Sequence, residues 1–77
     1  MARMAKPDPA LAAAIRTMRE RRGLTREDVA YQAGVTVGSL ARIELAQSAP
    51  AWATVAQIAQ AMNVPLVVLV RAVEELQ

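Results

Sequence analysis

Arginine supplies eight of the nine cationic side chains in this sequence, which also holds seven carboxylates. Guanidinium groups donate paired hydrogen bonds in a fixed fork and suit anionic partners. The net charge of +2 and the isoelectric point near 9.9 tilt the chain mildly the same way. The carboxylates that could do acid–base work come as neighbours, Glu27-Asp28 and Glu74-Glu75. Neighbours diverge around a helix, so neither pair converges on a substrate. Histidine and cysteine are both absent. That removes imidazole and thiolate metal ligands, histidine bases, Ser-His triads and disulfides. The expectation is a binding module without metal or cofactor, not an enzyme.

The elements that position these side chains follow from length and pattern. A chain of 77 residues allows one domain. Its 17 alanines stand beside 25 larger apolar or aromatic residues, enough for a small core with thin layers. No apolar run nears the roughly 20 residues that span a bilayer. Residues Met1 to Pro7 lack the apolar middle of a signal peptide and read as a flexible arm, with residues 8–77 as the domain. A cytoplasmic location is expected.

Asp8 and Pro9 offer a helix start, Leu11, Ile15 and Met18 share a face, and Gly23 ends the helix. Thr25 caps a second helix, with Asp28 three residues on as a weak capping box and Leu24 set to pack on Val29. This helix ends at Ala33, before Gly34. Thr36 caps a third, on which Leu40 and Ile43 point inward. Two short helices joined by a Gly-containing turn form a helix-turn-helix signature. Residues 46–50 read as a loop, and Pro50 opens a fourth helix. There Trp52, Val55, Ala59 and Met62 recur at helical spacing, with Asn63 as its cap. A fifth helix runs from about Leu66 to Leu76. Val67-Val68-Leu69-Val70 is the one strand-like rival, and its helical continuation decides against a strand. The expected fold class is all-α with five helices.

The motifs Ile15-Arg16-Thr17-Met18-Arg19, Gly23 through Ala30, Gly34-Val35-Thr36, Leu40 through Glu44, Pro50 and Ile58 through Val64 together resemble the lambda repressor and Cro type of helix-turn-helix domain, the XRE family. The match runs from about Ala10 to Val70. It implies a DNA-binding, bacterial or phage regulator whose third helix enters the major groove while the second lies across it near the phosphates. At about 100° per residue, Val37, Gly38, Ala41, Arg42 and Leu45 share the outward face of the third helix, with Glu44 at its edge.

By this resemblance Val37, Gly38 and Arg42 map onto base-reading positions. Arg42 can donate two hydrogen bonds to guanine, or it is a solvated surface charge. Val37 can touch a thymine methyl, and Gly38 permits close backbone approach. Arg26 stands where the family most often has Gln in contact with the DNA backbone. Thr36, Ser39, Gln47, Ser48, Arg21 and Arg22 are further phosphate candidates, Thr36 also serving as an N-cap. Arg16 reads as a solvated helix face. The resemblance implies a structural ion pair between Arg19 and Glu44 that fixes the recognition helix. Three departures lighten the DNA-facing charge: Ala46 replaces a common Gly, the loop after it is uncharged, and Leu45 is apolar.

On the fifth helix Leu66, Leu69, Val70, Val73 and Leu76 form a stripe that closes the core, and Val67 and Val68 point elsewhere. These two valines read as a homodimer surface, with half-sites about one helical turn, ~10 bp, apart or a multiple of that. Trp52 is expected in the core or partly covered. The leading function is a sequence-specific transcriptional repressor of double-stranded DNA. Close variants are a phage or plasmid repressor, a restriction-modification controller, or an antitoxin that also binds a toxin. A different class is a protein-interaction module that has lost DNA binding. Gly38, Ala41 and the uncharged loop favour that class; Arg26, Arg42 and the Arg19–Arg22 cluster oppose it.

Overall fold

The computed structural model describes residues 6–77, and the first five residues of the expected N-terminal arm lie outside that range. Five helices follow in order: α1 (Pro9–Arg21), α2 (Arg26–Ala33), α3 (Val37–Glu44), α4 (Trp52–Ala61) and α5 (Leu66–Leu76). There is no strand among the described residues.

Local chemistry sets most of the boundaries. The Asp8 carboxylate accepts from the Ala10 N–H at 2.9 Å, and Pro9 occupies the first position of α1. Gly23 closes that helix at φ +67°. The Leu24 N–H then reaches back to the Arg19 carbonyl at 3.1 Å, and the Gly23 N–H to that of Glu20 at 3.0 Å. This is a Schellman motif, which needs a residue comfortable in the left-handed region. At α2 the capping box is complete, stronger than the sequence suggested. The Thr25 hydroxyl accepts from the Asp28 N–H and the Asp28 carboxylate from the Thr25 N–H, each at 3.0 Å. Gly34, at φ +76°, turns the chain into α3, where the Thr36 hydroxyl accepts from the Ser39 N–H at 3.0 Å.

The helices pack around one core. α1 lies on α5 and α3, α2 on α4 and α3, and α4 on α5. Ile15, Leu40, Ile58, Met62 and Leu69 are fully enclosed, one or more from every helix but α2, which contributes Val29, Ala30 and Ala33. Each large side chain so enclosed contributes about 1.5–3 kcal/mol of transfer free energy. Leu11, Met18, Leu24, Val35, Leu66 and Val73 cover the margins.

Four expectations are corrected. Trp52, expected in the core or partly covered, lies outside the core and is 65% exposed. It holds the first position of α4, and a helical side chain leans toward its own N-terminus, here past the edge of the core. Pro50 does not open α4; the helix starts two residues later, behind Ala51 and without a side-chain cap. Asn63 is not the cap itself but the left-handed residue after it, at φ +58°. Leu76 lies on the α5 stripe but in its last turn, beyond the layer that covers Leu69, and is exposed. Among the described residues no single helix is long and apolar enough to cross a membrane.

Candidate nucleic-acid interface

α3 is amphipathic. Leu40 and Ile43 anchor it to the core, and its opposite face is open. Val37, Gly38, Arg42 and Leu45 are all exposed on that face, with Ala41 half-buried between them. The Arg42 guanidinium runs back along its helix, so that a Cβ on Gly38 would stand 3.7 Å from Nη1. The structure thus brings Gly38 and Arg42 together at the start of α3, and the Arg42 guanidinium forms no ion pair among the described residues. Thr36 is exposed beside them. Its hydroxyl accepts the cap bond and keeps its own hydrogen for an outside acceptor. Ser39 is half-buried, its N–H already given to Thr36.

The chain leaves α3 through Ala46, which sits in the left-handed region at φ +57°. The Ala46 N–H donates to the Ile43 carbonyl at 3.1 Å and the Gln47 N–H to that of Arg42 at 2.8 Å. The loop therefore starts tied to the helix that carries Arg42, with Gln47 exposed and Ser48 half-buried. Arg22 is placed elsewhere. With Arg21 it borders a shallow cleft formed by Met18, Val64 and Val68, on the side of the α4–α5 junction.

Behind α3 lies an ion cluster. Glu44, expected at the edge, is buried; its position on the last turn points it between α1 and α2. Arg19 donates from Nε to Glu44 Oε2 at 2.7 Å and from Nη2 to Oε1 at 3.1 Å, and from Nη1 to the Leu24 carbonyl at 2.9 Å. The hydrogen bonding to Glu44 raises the Arg19 pKa above its ordinary value; burial opposes the rise, and the charges of Glu44, Glu20 and Glu27 assist it. The expected pair is present, and it joins α1, the α1–α2 turn and α3. Sequence reasoning did not find the second arginine. Arg26 Nε donates to Glu44 Oε1 at 2.9 Å, so the residue expected at the DNA backbone braces α3. Their separation of 18 residues follows no local period, and only the tertiary approach of α2 to α3 reveals the contact.

Away from α3, Val67 and Val68 are 60% and 43% exposed, as their positions on α5 suggested. Tyr31 on α2 is exposed as well.

Comparison with known proteins agrees with this arrangement. A family model described as a helix-turn-helix domain matches residues 10–73. The clp gene regulator ClgR from C. glutamicum superposes with a TM-score of 0.85 at 21% identity, covering 94% of both chains. The wild-type restriction-modification controller protein C.Esp1396I gives 0.85 at 19% identity, covering 94% of this chain and 95% of that one. The controller protein C.AhdI from Aeromonas hydrophila gives 0.76 at 20% identity, covering 79% and 92%. No curated protein sequence matches the chain. With most of its length inside the family model and its five helices arranged as in these regulators, the chain belongs to the helix-turn-helix domain family and has the all-α fold of the lambda repressor and Cro type.

Proposed function

We propose that the chain is a sequence-specific, double-stranded DNA-binding transcriptional regulator that acts as a homodimer and represses by occupying a promoter. The observation that carries this reading is the exposed Arg42 on the outward face of α3, which forms no ion pair among the described residues, on a helix whose inward carboxylate is locked by two arginines. A rigid helix with a free guanidinium on its open face suits bidentate reading of a guanine edge. Val37 and Gly38 lie on the same face and fit a thymine methyl and a close backbone approach. Thr36, Ser39, Gln47, Ser48 and Arg26 frame them for phosphate contacts. Arg22 lies apart from this group, so its contact would depend on how the duplex curves past α1. The exposed valines 67 and 68 supply apolar surface for a second copy. The printed roles of the similar structures, a clp gene regulator and two restriction-modification controllers, support a regulator.

A second reading, a protein-interaction module or an antitoxin that also binds a toxin, draws on the exposed Tyr31 and Trp52, large apolar side chains outside the reading face. Selection from a random duplex library at moderate salt separates the readings. An inverted repeat is the expected product. Nothing above background from folded protein would favour the protein-interaction reading.

A further inference from the structure

Two guanidinium groups converge on one buried carboxylate, and they are used unequally. Arg19 is engaged at all three nitrogens, by Glu44 and by the Leu24 carbonyl, and its side chain is 12% exposed. Arg26 is engaged at Nε alone and its side chain is 33% exposed. Its two terminal nitrogens have no hydrogen-bond partner among the described residues. Counted over these three side chains, one positive charge is left over, and it lies at the exposed end. Arg26 is also the first residue of α2, where the helix dipole disfavours a cation. The nearest carboxylates on α2, Glu27 and Asp28, line another side of that helix with Leu24, Tyr31 and Ala61. Glu44 engages one edge of this cation and leaves its two terminal nitrogens to a partner outside the molecule.

Resting on the reading of α3 as the DNA-contacting helix, we propose that Glu44 is a positioning residue for a phosphate clamp. It holds Arg26 by Nε at the seam of α2 and α3, so that Nη1 and Nη2 together grip one DNA backbone phosphate. A guanidinium fixed along one edge has its orientation set before the anion arrives, and the remaining donors meet a phosphate in pairs. Lysine has the charge but cannot hold a carboxylate and a phosphate in one rigid plane. The same carboxylate fixes α3 through Arg19, so the phosphate contact and the reading face are held in one frame.

The test is binding of a mixed-sequence duplex of about three helical turns, followed by fluorescence anisotropy over a salt series. The proteins are the wild type, Arg26→Gln, Arg26→Lys and Glu44→Gln, each shown to be folded by circular dichroism in the same buffer. Arg26→Gln should flatten the slope of log affinity against log salt by about one. Arg26→Lys keeps a cation beside Glu44 and should fold; it should hold the slope and bind roughly tenfold more weakly. Glu44→Gln, where folded, should resemble Arg26→Lys. An unchanged slope for folded Arg26→Gln would leave Arg26 with a structural role only and overturn the proposal. Wild-type affinity for Arg26→Lys would overturn the positioning by Glu44 while leaving DNA binding intact. Absence of salt-dependent binding by the wild type would overturn the DNA reading and the clamp together.

Discussion

The guanidinium of Arg42 lies along the turn that Gly38 begins, with 3.7 Å between Nη1 and the place a Gly38 Cβ would take. That spacing is ordinary van der Waals contact, so a methyl group fits. Glycine inside a helix costs roughly 0.5–1 kcal/mol relative to alanine. Gly38→Ala should therefore raise stability by about that amount in urea denaturation. On the proposed reading it should also weaken duplex binding, because the methyl stands on the open face of α3 that would approach the groove. A variant that is more stable and still binds as the wild type does would show that the backbone at Gly38 stays away from DNA.

Ala46 occupies the left-handed region at φ +57° and closes α3 through the bonds from its own N–H and that of Gln47. An L-residue in that conformation costs about 1–2 kcal/mol, and glycine gives back part of the gain through its freedom when unfolded. Ala46→Gly should stabilise the domain by roughly 0.5–1 kcal/mol. Thermal and chemical denaturation check this, and a loss of stability would mean that the loop does not need the left-handed turn.

These two positions show what the sequence could and could not disclose. Asp8, Thr25 and Thr36 announce their helices because an N-cap bonds to an amide two or three residues away, and Gly23 and Gly34 announce ends because glycine takes positive φ freely. Ala46 adopts the same turn without the residue type that signals it. The Arg19–Glu44 pair was legible only through family resemblance. Arg26–Glu44 was not legible at all, because a contact across 18 residues depends on how α2 meets α3. Trp52 misled because helical spacing assigns a face but does not say how far along the helix the core extends.

Glu44 is served by two cations, which makes its arginines partly interchangeable. Arg19→Met leaves Arg26 on the carboxylate, and Arg26→Met leaves Arg19. The double variant strands a buried charge. It should therefore cost at least about 1 kcal/mol more than the sum of the single variants. Glu44→Ala should cost about 3–5 kcal/mol. That is a large share of the roughly 4–12 kcal/mol expected for a chain of this length. Urea denaturation of the wild type and these four variants decides the point, and strict additivity of the two arginine substitutions would mean that the two arginines act on Glu44 independently.

The Asp28 carboxylate accepts from the Thr25 N–H, and this bond, with the Thr25 hydroxyl beside it, holds its pKa below the usual carboxylate value. A carboxyl group whose folded value is depressed contributes stability that is fully present above its unfolded pKa, about 3.9. That contribution fades as pH falls toward the lowered folded value, where the proton breaks the capping box. Asp28→Asn keeps the shape of the side chain but has no proton to gain. Across pH from about 5 to 2, the wild type should lose stability more steeply than Asp28→Asn. At neutral pH it should be the more stable of the two, since the charged cap also favours the α2 N-terminus. Thermal melts at stepped pH measure both arms. Parallel acid limbs for the two proteins would show that the Thr25–Asp28 box does not respond to protonation.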